Sequence, residues 1–199
     1  MEMLILLSIC VFFVVITVLV IRWARKQNKK RIELYQKTAD RLGLKYTFKK
    51  LPAGSLNRLE GELEGVPLSI YEEMVGVGKH RHMQTHVLVK KSPFNFEFSI
   101  GKEQFFSKTA KIIGFNDVEF GDAELDDIFL LKSKSEDEFR AMMDEQLQQK
   151  LKSISSALEG EIHASNGKLD YTRYGALNSK EDLEKAEQVL RFMLELSKV

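Results

Sequence analysis

From Met3 to Ile21 the chain runs nineteen residues without a charge, and only Ser8, Cys10 and Thr17 interrupt its Leu, Ile, Val and Phe. As a helix this stretch measures ~28 Å, close to the ~30 Å hydrocarbon core of a bilayer. Its length, Glu2 in place of a basic start and the lack of a small-residue cleavage pattern separate it from a signal peptide. The pattern predicts a transmembrane anchor over residues 1–21. Beyond it, Ile32, Tyr35, Ala39 and Leu42 recur at helical spacing and Gly43 is placed to end the helix, which predicts a basic juxtamembrane stalk helix over residues 22–43.

From residue 44 onward the period changes. Lys45 to Phe48 reads as a short strand, and Gly61 to Glu73 as a strand, a turn at Gly65 and a second strand with Val66, Leu68 and Ile70 on one face. Met83, Thr85, Val87 and Val89 alternate with polar residues, as do Phe94, Phe96, Phe98 and Ile100, and Ile128 to Lys132 is short enough for a buried strand. Ser135 with Glu138 forms a capping-box pattern. Phe139, Met143, Leu147, Leu151, Ile154 and Leu158 then follow at steps of three and four, predicting one long amphipathic helix that ends at Gly160. Glu161 to Ala164 and Lys168 to Arg173 flank Asn166 and Gly167, a pair that accepts the positive φ of a tight hairpin turn. Ser179 is placed to cap a last helix whose Leu183, Ala186, Leu190 and Met193 share a face. Strands joined by short turns predict an α+β fold. The expected organisation is an N-terminal single transmembrane helix and stalk, then one soluble domain over residues 44–199, with a mainly antiparallel sheet packed by a long helix and a C-terminal helix.

Charge sharpens the picture at one place. Arg22, Arg25, Lys26, Lys29, Lys30 and Arg31 form a block with no acid, and setting those six and Glu2 aside leaves 24 basic against 28 acidic residues. Such a domain lacks the positive footprint that a phosphate backbone attracts, so nucleic acid is not an expected partner. The block, with Trp23 inside it, is expected to lie at a membrane interface and to hold the domain on the cytoplasmic side. The expected localisation is the cytoplasmic (inner) membrane, single-pass, with the N-terminus outside. Cys10 is the only cysteine, which excludes an intrachain disulfide or a cysteine zinc site.

Three constellations invite chemistry. His80, His82 and His86 share parity at the start of a strand and are candidates to gather a metal as neutral imidazoles, with Glu72 or Glu73 as a fourth ligand. A solvated strand arm is the competing reading, because the opposite parity is the more apolar. Asp117, Glu119, Asp122, Glu124, Asp126 and Asp127 crowd together but miss calcium-loop spacing: Asp122 falls where the turn glycine belongs and Ile128 where the bidentate Glu belongs. Gly76, Gly78 and Lys79 do not complete a phosphate-binding motif. There is no nucleophile elbow, and His163 lies in a strand without an evident nucleophile, so no catalytic constellation and no cofactor are expected. Phe94, Phe96, Phe98, Phe105 and Phe106 read as core packing, with a lipid pocket as the alternative.

Three segments, LEGELEGVPLSIY from Leu59, GKHRHMQTHVLV from Gly78 and VEFGDAELDDIFLL from Val118, resemble in their order a widespread bacterial family of membrane-anchored proteins of unknown function. The resemblance covers roughly residues 40–160, with Leu125 standing where that group has Phe. It implies the same topology and no activity. The function expected from the sequence is a membrane-tethered cytoplasmic interaction module, such as an accessory or inhibitory subunit of a membrane complex. Its partners would be a protein and, through anchor and basic stalk, membrane lipid. A lipid or small-ligand binding domain and a metal-dependent enzyme built on His80, His82 and His86 are the alternatives.

Overall fold

A computed structural model describes the backbone of residues 2–51, 54–105 and 114–199, and the side chains of 12–51, 55–105 and 114–199. The side chains of residues 2–11, Cys10 among them, and all of Phe106 lie outside the described residues.

The chain opens with α1 (Glu2–Leu42), which ends as the spacing predicts. Gly43 takes φ +67°, and the Leu44 amide reaches back to the Ala39 carbonyl at 2.9 Å, closing the last turn. Among the described residues no helix is long and apolar enough to cross a membrane. The described side chains of the apolar run begin at Phe12 and end at Ile21, ten residues or ~15 Å of helix, before Arg22, Arg25 and Lys26 interrupt it. This corrects the expected transmembrane helix over residues 1–21 and, with it, the expected single-pass inner-membrane localisation.

The rest of the chain is α+β. Among the described residues, strands β1 (Lys45–Leu51), β2 (Gly54–Leu63), β3 (Val66–Val75), β4 (His82–Val89), β5 (Phe98–Gly101), β6 (Asn116–Asp117), β7 (Leu130–Ser133), β8 (Gly160–Ser165) and β9 (Lys168–Tyr174) form one nine-stranded sheet in the order β1-β2-β3-β4-β9-β8-β5-β7-β6. Every neighbouring pair is antiparallel. Two of the hairpins turn on two residues with positive φ, Glu64 and Gly65 (55° and 77°) and Asn166 and Gly167 (51° and 68°), the combination that matches the twist of the flanking strands. Helices α2 (Ala123–Ile128), α3 (Glu136–Met142), α4 (Glu145–Ser153) and α5 (Lys180–Leu196) complete the fold.

Three expectations differ from the structure. The predicted long helix is broken, because Met143 leaves helical geometry (φ −82°, ψ 67°) and the Asp144 side chain caps a new helix by accepting from the Leu147 amide. The apolar stripe survives the break, since Phe139, Met143, Leu147, Leu151 and Leu158 are all buried. Strand β5 begins only at Phe98; Phe94 and Phe96 precede it, with ring centroids 5.3 and 5.7 Å from that of Phe98. Ser135 stands at the start of α3 but makes no side-chain cap, and Ser133 Oγ serves the Ser135 backbone instead.

The core lies on one side of the sheet. Leu59, Ile70, Val87 and Tyr171 follow one another in register across β2, β3, β4 and β9, and all are buried. Against them pack Tyr35, Ala39 and Leu42 of α1 and Leu183, Val189, Leu190 and Met193 of α5. A buried carboxylate ties these layers together. Glu72, on the core side of β3, accepts from Arg31 (2.6 Å), Tyr35 Oη (2.8 Å), the Asn57 amide and side chain (both 2.9 Å) and the Leu177 amide (3.3 Å). Burial of the Tyr35 hydroxyl pushes it well up, with the Glu72 charge adding to the effect.

Candidate functional site

The opposite face of the sheet follows from the same alternation. In β4 the odd residues Thr85, Val87 and Val89 are buried, so His82, Gln84, His86 and Leu88 point to the other side, where each is only partly covered. Register carries this parity across the neighbours. Arg58, Tyr71, His86, Thr172 and Glu161 form one row across β2, β3, β4, β9 and β8, and Ser69, Leu88, Asp170, His163, Ser99 and Lys132 form the next.

These rows are stacked and hydrogen-bonded. The Arg58 guanidinium lies 5.1 Å from the Tyr71 centroid, and the Tyr71 and His86 rings stack at 4.9 Å and 9°. His86 Nδ1 sits 3.2 Å from both Asp170 carboxylate oxygens and from Thr172 Oγ1, an arrangement that favours the proton on Nδ1. Its Nε2 is covered and has no hydrogen-bond partner among the described residues. One step along, the His82 and Tyr174 rings stack at 5.0 Å, and Tyr174 is 72% exposed. Toward the sheet's other edge, Ser99 Oγ is 2.9 Å from His163 Nδ1. Burial raises the carboxyl of neighbouring Glu161, against a hydrogen bond from Ser99 and the nearby charges of His163 and Lys132. Burial likewise raises the Tyr71 hydroxyl, with Asp170 and Glu73 adding to it.

The expected metal candidates are placed apart in function. His80 lies in a short 3₁₀ turn, Gly78–His80, and its carbonyl faces His82 Nδ1 at 3.1 Å, while His82 Nε2 meets the Gln84 amide at 3.2 Å. His86 is committed to Tyr71 and Asp170. Glu72, named as a fourth ligand, faces the core, and Glu73 is exposed on the open face. Among the described residues no three His, Cys, Asp or Glu side chains are gathered to hold a metal.

Of the residues expected at a membrane interface, Arg22, Trp23, Arg25, Lys26, Lys29 and Lys30 are exposed on α1, whereas Arg31 turns inward to pair with Glu72. The acidic segment supplies local caps: Asp122 accepts from the Leu125 amide, and Asp126 accepts from the amides of Phe120 and Gly121. Sequence reasoning missed Tyr71, Asp170, Thr172 and Tyr174. The shared parity of the last three in β9 was a usable signal.

The chain matches no protein-family model and no curated protein. Its fold is similar to that of the mycobacterial trehalose monomycolate transport factor A, TtfA, known from a crystal structure. The TM-score is 0.54 at 10% identity, over 85% of this chain and 95% of that one. At that identity the likeness concerns the fold alone.

Proposed function

We propose that this chain is a protein-interaction module whose open sheet face is the docking surface, so that it acts as an accessory subunit. The observation that carries this reading is the run of stacked rings, Arg58 on Tyr71 on His86 and His82 on Tyr174, on the sheet face opposite the helices. Aromatic and Arg side chains held rigid by neighbours are the groups that dominate protein interfaces, because they present large area at little entropic cost. The surface is also large enough. The six strands from β1 to β8 in sheet order, ~4.8 Å apart and ~7 residues long at ~3.3 Å each, give a footprint of ~670 Å², comparable with the ~800 Å² that each partner contributes to a standard interface. A fold shared with a protein named as a transport factor is compatible with a role exercised through partners.

Affinity-tagged full-length chain carrying Tyr71→Ala and His86→Ala together tests this. A specific partner should co-purify with the wild type and with Thr47→Ala, at the margin of the same face, and be depleted about 30-fold by the double variant, as expected for loss of ~2 kcal/mol of hot-spot energy. Equal recovery with all three would refute the reading.

A further inference from the structure

A second surface lies on the helical side, independent of the open face. Arg31 reaches Asn178 at 3.5 Å and Arg41 pairs with Glu187 at 2.6 Å, so α1 and the start of α5 run side by side in the same direction for ~15 Å. Between them is a groove of about 420 Å³, with Leu34 and Leu183 as apolar lining, Thr38 as polar lining, and three cations, Lys37, Arg41 and Lys180, against one carboxylate, Glu184. From Arg22 to Arg41, α1 carries eight basic residues against only Glu33 and Asp40. Arg41 and Lys180 have acidic partners in Glu187 and Glu184, and Arg31 has Glu72. Lys26, Lys30 and Lys37 form no ion pair among the described residues, and their spacing places them on the same helical stripe as Leu34 and Arg41. The N-terminal end of α5, which opens into this groove at Lys180, adds its partial positive charge.

We propose that the α1–α5 groove docks an acidic amphipathic helix of a partner protein. Two helices side by side with an apolar floor form the groove that a third helix fills, using apolar anchors at positions i, i+3 or i+4 and i+7. Anchors at i and i+7 span ~10.5 Å, which fits the ~15 Å over which the two walls run together. Lys37 in the groove, with Lys30 and Lys26 continuing its stripe on α1 beyond the Arg31 end, selects acidic flanks on the incoming helix and repels basic ones.

The test is fluorescence anisotropy of full-length chain with a labelled helical peptide bearing Leu at those anchor positions and Glu elsewhere, at ~0.15 M salt. Lys37→Glu with Lys180→Glu should weaken binding at least tenfold, while Lys49→Glu with Lys50→Glu, on β1, should not change it; thermal unfolding checks that both double variants fold. A peptide with Lys in place of Glu should fail to bind, and one with Ser in place of Leu should bind at least tenfold more weakly. Equal binding of the Ser peptide would replace the groove by plain charge attraction and overturn the proposal. So would binding that ignores the groove charge reversal, or capture of the chain by phosphatidylglycerol vesicles with no binding of the Glu peptide.

Discussion

Replacing Arg31 with Met removes one of five hydrogen-bond donors from a carboxylate whose side chain is fully buried. Glu72 keeps Tyr35, the two Asn57 donors and Leu177, but loses the guanidinium that neutralises it, and Ser55 loses the 2.7 Å bond that Arg31 gives its carbonyl. Breaking a buried ion pair by removing one partner costs ~3–5 kcal/mol, since the remaining charge stays out of water. Four surviving hydrogen bonds place the expected loss near the lower end, ~3 kcal/mol. For a chain of this size that is a fall of about 6–12 °C in Tm. Glu72→Gln should cost a similar amount by a different route. Both carboxylate oxygens face only donors, so the amide NH₂ meets Tyr35 and Leu177 on one side or Arg31 and Asn57 on the other. Arg31→Met combined with Glu72→Met leaves no lone charge and should recover much of the loss, with a coupling energy above ~1.5 kcal/mol. Urea unfolding followed by circular dichroism measures the wild type, Arg31→Met, Glu72→Gln, Glu72→Met and the double variant, the Glu72→Met single variant closing the cycle. Single losses below ~1 kcal/mol, or strict additivity in the double variant, would refute the view that Glu72 locks α1 and the β9–α5 link onto the sheet.

Three further predictions follow from burial. Burial pushes the hydroxyls of Tyr46 and Tyr171 up to about 12, while unfolded tyrosine ionises near ~10. Their contribution to stability is therefore whole below ~10 and lost as pH rises through about 12, which ultraviolet titration with parallel circular dichroism will show as late ionisation coupled to unfolding; ionisation of all tyrosines near ~10 in folded protein would contradict it. Glu161, raised by burial, is more protonated folded than unfolded, so its contribution is intact below ~4.3 and lost as pH rises through the raised folded value. The urea midpoint of Glu161→Gln should exceed that of the wild type by more at pH 7 than at pH 4, and a pH-independent gap would count against this. Gly160→Ala puts a Cβ 2.1 Å from the Thr172 carbonyl oxygen, a backbone atom that cannot swing away, and should cost at least ~2 kcal/mol in urea unfolding. Gly61→Ala meets the flexible Leu44 Cδ2 at 2.9 Å and should cost less, so an inverted order would be informative about the β8–β9 register.

Much of the fold was legible from local signals. Period-two alternation located β4, Asn166-Gly167 located the β8–β9 hairpin, and Gly43 and Ser179 marked helix ends because each acts through its own neighbours. What failed was decided by competition between signals. The stripe from Phe139 to Leu158 is continuous, yet Asp144 can cap a helix and breaks the run, and the apolar period alone carries no trace of that choice. Phe94 and Phe96 keep strand alternation while their rings pack together with Phe98 ahead of β5. Sheet order was beyond reach, since placing β5 beside β8 and β7 depends on long-range pairing. For the same reason His86 read as a metal candidate with His80 and His82, when its partner Asp170 lies 84 residues away in sequence. Arg31 read as part of a basic block because nothing local distinguishes it from Lys30, and only the buried Glu72 does so.

The claim that the open sheet face is a protein-docking surface is tested most directly by photo-crosslinking in intact cells. A photoreactive residue placed at Gln84 or Tyr174, on that face, should yield a discrete adduct with one partner protein, and Tyr71→Ala with His86→Ala should abolish it. The same group at Glu145 or Ser156, on the helical side but outside the lining of the α1–α5 groove, should give none. Adducts of equal yield from both sides, or none from Gln84 and Tyr174 while the helical positions react, would contradict the account.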